Sequence, residues 1–238
     1  MKRLFLLLLL TSFYGIAQQQ YVIEKDIHYY SDSLDKKDIY RDSQCTLDIY
    51  YPKNANNFAT VVWFHGGGLT SGNKEIPTAL LEKGFAVIGV GYRFSPKVKA
   101  PVYIEDAAAA IAWAFQHIGK YGGNTDLIFL SGHSAGGYLT MMVGLDKKYL
   151  SKYSIDANKI AGNIPFSGHT ITHFTVRKEK GMNDIQPLID EYAPLFFARP
   201  DASPLVLITG DPELELLGRY EENAYMWRMM KLAGHKRT

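Results

Sequence analysis

Gly132-His133-Ser134-Ala135-Gly136 is the stretch of this sequence best equipped for covalent chemistry. A serine bracketed by glycines can occupy a sharp, strained turn that exposes its hydroxyl, and the small neighbours relieve crowding around it. The flanks suit that reading. The apolar run 127–130 ahead of it predicts a strand, and 135–145 behind it predicts a helix, whose N-terminus favours developing negative charge. Ser134 is therefore the candidate nucleophile. The second segment is His65-Gly66-Gly67-Gly68, directly after the β-branched run 59–64. Attack on an acyl carbonyl creates an oxyanion that backbone N–H groups can stabilise, and glycines let the backbone come close. Gly66 or Gly67 would supply one donor and Ala135 the other, with His65 holding the glycine loop in shape.

The elements that must position these residues alternate along the chain. Strands are expected around 21–30 and 45–51, then at 59–64, 85–90, 127–130, 160–166 and 205–208. Helices are expected over 74–83, from Pro101 to His117, over 135–145 and over 216–232. Continuous apolar strands alternating with helices predict an α/β fold, with a mostly parallel, doubly wound sheet covered by helices on both faces. The stretch 169–199 has little periodicity and follows a strand, so it reads as a substrate-shaping insertion over the carboxyl edge. Tyr138, Phe166 and Phe196 are candidate pocket aromatics.

The chain resembles the α/β-hydrolase superfamily, in particular its hormone-sensitive-lipase-like and feruloyl/acetyl-xylan-esterase-like carboxylesterases. The resemblance rests on Leu47-Asp48-Ile49-Tyr50, His65 to Gly68, Gly91-Tyr92-Arg93, Glu105-Asp106-Ala107, Gly132 to Gly137, and Gly210-Asp211-Pro212-Glu213. It implies hydrolysis of short-chain carboxylic esters, with acetyl or feruloyl esters on polysaccharide as the substrate class and no cofactor; the single cysteine and histidines without ligand spacing predict no metal. It also implies that the triad acid follows the strand 205–208. Glu213 matches that place, Asp211 is the runner-up, and Glu215 is expected inside the helix already. The same scaffold would serve an arylformamidase or an exported peptidase.

The sequence departs from the family order of serine, acid and histidine. The expected final helix ends near Ala233-Gly234, and only His235, Lys236, Arg237 and Thr238 remain, too few for a strand of ~5–6 residues and a base-bearing loop. About 16 helical residues at 1.5 Å each would carry His235 roughly 25 Å from the catalytic edge. His169 and His173 lie nearer that edge, and His133 is expected to be packed. The expectation is a C-terminally incomplete copy of an esterase, with a disabled ligand-binding remnant as the alternative.

Composition bounds the rest. The chain has 238 residues, a length suited to one domain, and 47% hydrophobic residues, enough for a buried core. A net charge of +2 with scattered basic residues argues against a nucleic-acid surface. Lys2-Arg3, the apolar run 4–10 and Gly15-Ile16-Ala17 read as a cleaved signal peptide over 1–17. That predicts export as a single domain over 18–238, with no membrane anchor after cleavage. Cys45, the single cysteine, excludes an internal disulfide and is expected to be packed.

Overall fold

The computed structural model describes residues 19–30 and 38–238, so the expected signal peptide lies outside the described residues. Six strands form one mixed sheet in the order β1 (Tyr21–His28), β2 (Thr46–Pro52), β4 (Ala86–Val90), β3 (Phe58–Phe64), β5 (Gly123–His133) and β6 (Gly162–Phe166). β1 and β2 are antiparallel additions at one edge, while β3 to β6 run parallel. This is the α/β architecture expected from the alternating pattern. All four parallel strands end on the same edge, which brings together the loops that follow Phe64, His133 and Phe166.

Strand alternation decides what each face meets. In β3, Phe58, Thr60, Val62 and Phe64 are buried, while Ala59, Val61 and Trp63 are only half-buried. The buried side receives α2 (Val102–His117) and α3 (Ala135–Leu145). Ala107 to Ala110 lie within α2 and keep its packing surface slim, so the helix backbone can approach closely. α6 (Arg219–Leu232) joins the same side, with Met226 and Met230 against Met141, Leu145 and Leu205. The remaining helices are short: α1 (Ile39–Gln44), α4 (Lys148–Ser151) and α5 (Phe174–Glu179).

The opposite face differs from expectation. Instead of a helix over 74–83 there is one three-residue turn, Thr78–Leu80. Pro77 removes a donor and disfavours helical backbone before it, and Glu82 has a positive φ of 58°. Among the described residues this segment leaves an apolar cavity of about 520 Å³, lined by Val61, Trp63, Leu80, Phe129, Ile164 and Phe166. The expected strand 205–208 is reduced to two isolated parallel bridges, Asn163 with Leu205 and Phe166 with Ile208. Pro204 cannot donate to a ladder, and on the outer side the one backbone partner among the described residues is Arg237, whose carbonyl accepts from Leu205 N at 3.0 Å. α6 starts at Arg219, three residues later than expected, because Leu217 (φ 56°) and Gly218 (φ 71°) are left-handed.

Two sequence motifs serve the scaffold. The Asp106 carboxylate is fully buried and accepts from Arg93 Nε at 2.9 Å, Arg93 Nη2 at 2.7 Å, Arg93 N at 3.1 Å and Tyr30 OH at 2.7 Å. Arg93 and Asp106 therefore tie the end of β4 to the second turn of α2. Cys45 is buried as expected, and burial beside Asp106 pushes its thiol pKa up.

Candidate active site

Ser134 sits between β5 and α3 with φ 56° and ψ −114°, a backbone region costly for any residue with a side chain. Ser134 N donates to Phe166 O at 2.8 Å, which pins the turn to the end of β6. The turn is possible because Gly136 is bare: a Cβ there would lie 2.0 Å from Phe64 O. Crowding at this point also sets the approach of β3 to the start of α3, and so carries the glycine loop alongside the serine. A Cβ on Gly66 would lie 3.5 Å from the Cβ of Ser134.

The glycine loop is held from inside. His65 Nδ1 donates to Gly66 O at 2.6 Å, so its Nδ1 carries the proton, and the ring stacks on Tyr92 at 4.4 Å between centroids. Gly67 takes φ 115°, where a Cβ would meet Ser71 O at 1.9 Å. Its carbonyl accepts from Thr70 N at 3.0 Å and Ser71 N at 3.1 Å. The N–H groups of Gly66, Gly67 and Ala135 have no hydrogen-bond acceptor among the described residues. Free donors beside a strained serine hydroxyl can receive an oxyanion.

The carboxylates after Ile208 are arranged differently from one another. Glu213 is exposed, and its carboxylate carries no hydrogen bond among the described residues. Asp211 instead caps its own turn, accepting from Glu213 N at 2.9 Å. Glu215 is not in the helix as expected. Its Oε1 accepts from Ser167 Oγ at 2.5 Å, Gly210 N at 2.6 Å and Thr209 Oγ1 at 3.0 Å. Burial works against its ionisation, but these donors prevail and hold its pKa below the ordinary carboxylate value.

No histidine shares a hydrogen bond with the Ser134 hydroxyl among the described residues. His169 is fully buried, with Nδ1 3.1 Å from both Glu222 oxygens and Nε2 accepting from Arg219 Nε at 3.4 Å. His173 is fully buried and accepts from Thr175 N at 3.2 Å, capping α5. His235 bonds Ala202 O at 3.1 Å, on the far side of the 205–208 segment from the acid loop. His133 is exposed rather than packed, because it closes β5 with its side chain on the solvent side of the turn. The pocket aromatics are also reassigned. Tyr138 is core, donating to Tyr192 O at 2.8 Å, Phe166 lines the cavity on the opposite sheet face, and Phe196 is exposed. The aromatic that meets the glycine loop is Phe174, whose Cζ would lie 3.1 Å from a Cβ on Gly68. No local pattern marks Phe174, since its partner is 106 positions away in the chain.

Burial lowers the His65 pKa, and burial beside His169, Arg219 and Arg177 pushes that of His173 well below the ordinary value. The unfolded chain takes up protons below about pH 6.5 that the folded state refuses, so stability present above that pH is lost as pH falls. Each such histidine is expected to cost about 1.4 kcal/mol per pH unit until its native pKa is reached. Denaturant midpoints between pH 7.5 and 5 measure this. His173→Asn, which keeps an acceptor for Thr175 N, should flatten the slope, and an unchanged slope would count against His173 as a contributor.

Known proteins place this arrangement. A carboxylic ester hydrolase of Mycobacterium tuberculosis, LipM (named as probable), is 31% identical over 174 residues, covering 65% of this chain and 39% of LipM. An acetyl esterase of Salmonella paratyphi B is 31% identical over 105 residues, covering 42% of this chain and 32% of that protein. The chain thus spans less than half the length of either relative. The solved structure of a truncated carbohydrate esterase from gut microbiota superposes with a TM-score of 0.73 at 20% identity, covering 92% of this chain and 86% of that one. The BD-FAE family model matches residues 47–232, and the chain belongs to the BD-FAE family, on an α/β-hydrolase fold.

Proposed function

We propose that this protein is a serine-dependent carboxylic-ester hydrolase acting outside the cytoplasm on short acyl esters, with acetyl or feruloyl groups on polysaccharide as the substrate class. The observation that carries the reading is the unpartnered N–H set of Gly66, Gly67 and Ala135 beside the strained Ser134. Ser134 Oγ attacks the ester carbonyl, its proton passes to a base, and the alcohol leaves. Water then hydrolyses the acyl-enzyme. Among the loop carboxylates, Glu213 is the one free to orient a base, since Asp211 and Glu215 are committed to loop structure. The named activities of LipM, the acetyl esterase and the carbohydrate esterase support the ester and carbohydrate parts, and the N-terminal sequence pattern supports export. The test is acetate and ferulate release from acetylated and feruloylated xylan, compared with p-nitrophenyl esters of increasing acyl length. Preference for long acyl chains or for amides would count against it.

A second reading has its own support: Ser134 lacks a histidine partner among the described residues, as a disabled ligand-binding site would. Binding of an ester without turnover, measured by calorimetry, would favour that reading.

A further inference from the structure

Where an N–H group points is set by the carbonyl of the residue before it, because the two share one planar trans peptide and face opposite ways. For the Ala135 donor that carbonyl is Ser134 O, which accepts from Tyr138 N at 3.0 Å as α3 begins. For the Gly67 donor it is Gly66 O, held by His65 Nδ1 at 2.6 Å. For the Gly66 donor it is His65 O, and its anchor comes from beyond the end of β4: Tyr92 OH donates to it at 2.8 Å. The Tyr92 ring also stacks on the His65 ring, with planes 12° apart and centroids 4.4 Å apart. One tyrosine thus holds the first donor's peptide through its hydroxyl and the second donor's anchor through its ring.

Tyr92 is itself braced. It is fully buried, and both peptides that flank it are hydrogen-bonded. Gly91 O accepts from Tyr29 OH at 2.9 Å, and Arg93 N donates to Asp106 Oδ2 at 3.1 Å. Gly91 lets this segment lie close against its neighbour, since a Cβ there would be 2.5 Å from Gln44 O. Phe94 closes the group edge-on, 5.8 Å from the His65 ring and 5.3 Å from the Tyr92 ring. A buried hydroxyl and a carbonyl are costly to leave unpaired, so the Tyr92 bond resists rotation of the His65–Gly66 peptide.

We infer that Tyr92 is a positioning residue for the reaction: its hydroxyl fixes the peptide that carries the Gly66 N–H, and its ring steadies the His65 side chain that fixes the peptide carrying the Gly67 N–H. This rests on the ester-hydrolase reading. Tyr92 acts through these two peptides and not on the reacting atoms, so loss of its hydroxyl falls on the transition state rather than on ground-state binding.

The experiment compares the wild-type chain with Tyr92→Phe, which keeps the buried, stacked ring and removes the hydroxyl. The control is Tyr103→Phe, which removes an equally buried tyrosine hydroxyl from α2, where it bonds Glu179 Oε2 at 3.2 Å. Two readouts are taken: p-nitrophenyl acetate kinetics, and microsecond-to-millisecond NMR relaxation dispersion of the Gly66 and Gly67 amides. Tyr92→Phe should lower kcat by about tenfold, less than the loss of a whole oxyanion donor, with KM within about twofold. The Gly66 amide should gain dispersion that the wild type lacks, while Tyr103→Phe should leave both readouts unchanged. Unchanged dispersion in Tyr92→Phe overturns the anchor, and new dispersion with unchanged kcat overturns its role in the reaction. An equal loss of kcat in Tyr103→Phe assigns the effect to general loosening of the fold and overturns that role as well. If the wild-type chain shows no turnover dependent on Ser134, the ester-hydrolase reading falls and takes the role in the reaction with it. Dispersion then still decides whether Tyr92 holds the loop.

Discussion

Ser134→Ala is expected to reduce p-nitrophenyl acetate hydrolysis to the uncatalysed background, since loss of the nucleophile in a well-studied serine hydrolase costs roughly a millionfold in turnover. The expectation follows from position. Ser134 alone stands at the strained junction of β5 and α3 with free N–H groups at its side. Equal rates for the two proteins would mean that the site is present in this chain but does not turn over. The same backbone carries a stability signature independent of activity. Ser134→Gly removes the penalty of a side chain at φ 56° and should stabilise the fold by about 1 kcal/mol, read from denaturant midpoints. An increase in stability with a loss of activity would identify strain held for function.

Asp106→Ala should have the largest effect on stability, about 3–5 kcal/mol, enough to unfold much of a marginally stable domain. Asp106 is fully buried and satisfies three donors of Arg93 and the hydroxyl of Tyr30, so removing it leaves the half-buried guanidinium with the Asp38 carboxylate at 3.3 Å as its remaining ion pair among the described residues. Replacing Asp106 alone leaves the Arg93 charge poorly compensated, whereas the double variant Arg93→Met with Asp106→Leu should recover part of the loss. Urea unfolding of the three proteins measures this. A cost below about 1 kcal/mol for Asp106→Ala would show that the pair does not brace α2 on the sheet.

The parts legible in the sequence are those whose physics is local. Strands appear as apolar runs because parallel strands are buried on both faces, and β3 and β6 fall within two residues of their expected bounds. The helix α3 is placed to the residue, since the glycine-flanked serine marks its start. The elbow and the glycine loop are likewise short segments whose conformation and free donors are set by neighbours within a few positions.

What needed the tertiary structure is everything that depends on distant partners. Asp211 and Glu215 differ from Glu213 only by which donors the fold brings to them, Ser167 arriving from the end of β6. His169 and His173 have the right residue type near the right edge, yet Glu222 and Arg219 occupy both ring nitrogens of His169, and Thr175 N holds His173 Nδ1 while full burial encloses its Nε2. The helix expected over 74–83 yields to Pro77 and the left-handed Glu82, which an apolar pattern does not register. Phe174 and Thr175 reach Gly68 only because helix α5 folds back over the sheet edge. Residue spacing along one strand or helix encodes the local geometry of the nucleophile and its donors. Contacts between segments a hundred residues apart are set by how the whole chain packs, and that packing decides which side chains remain free to act.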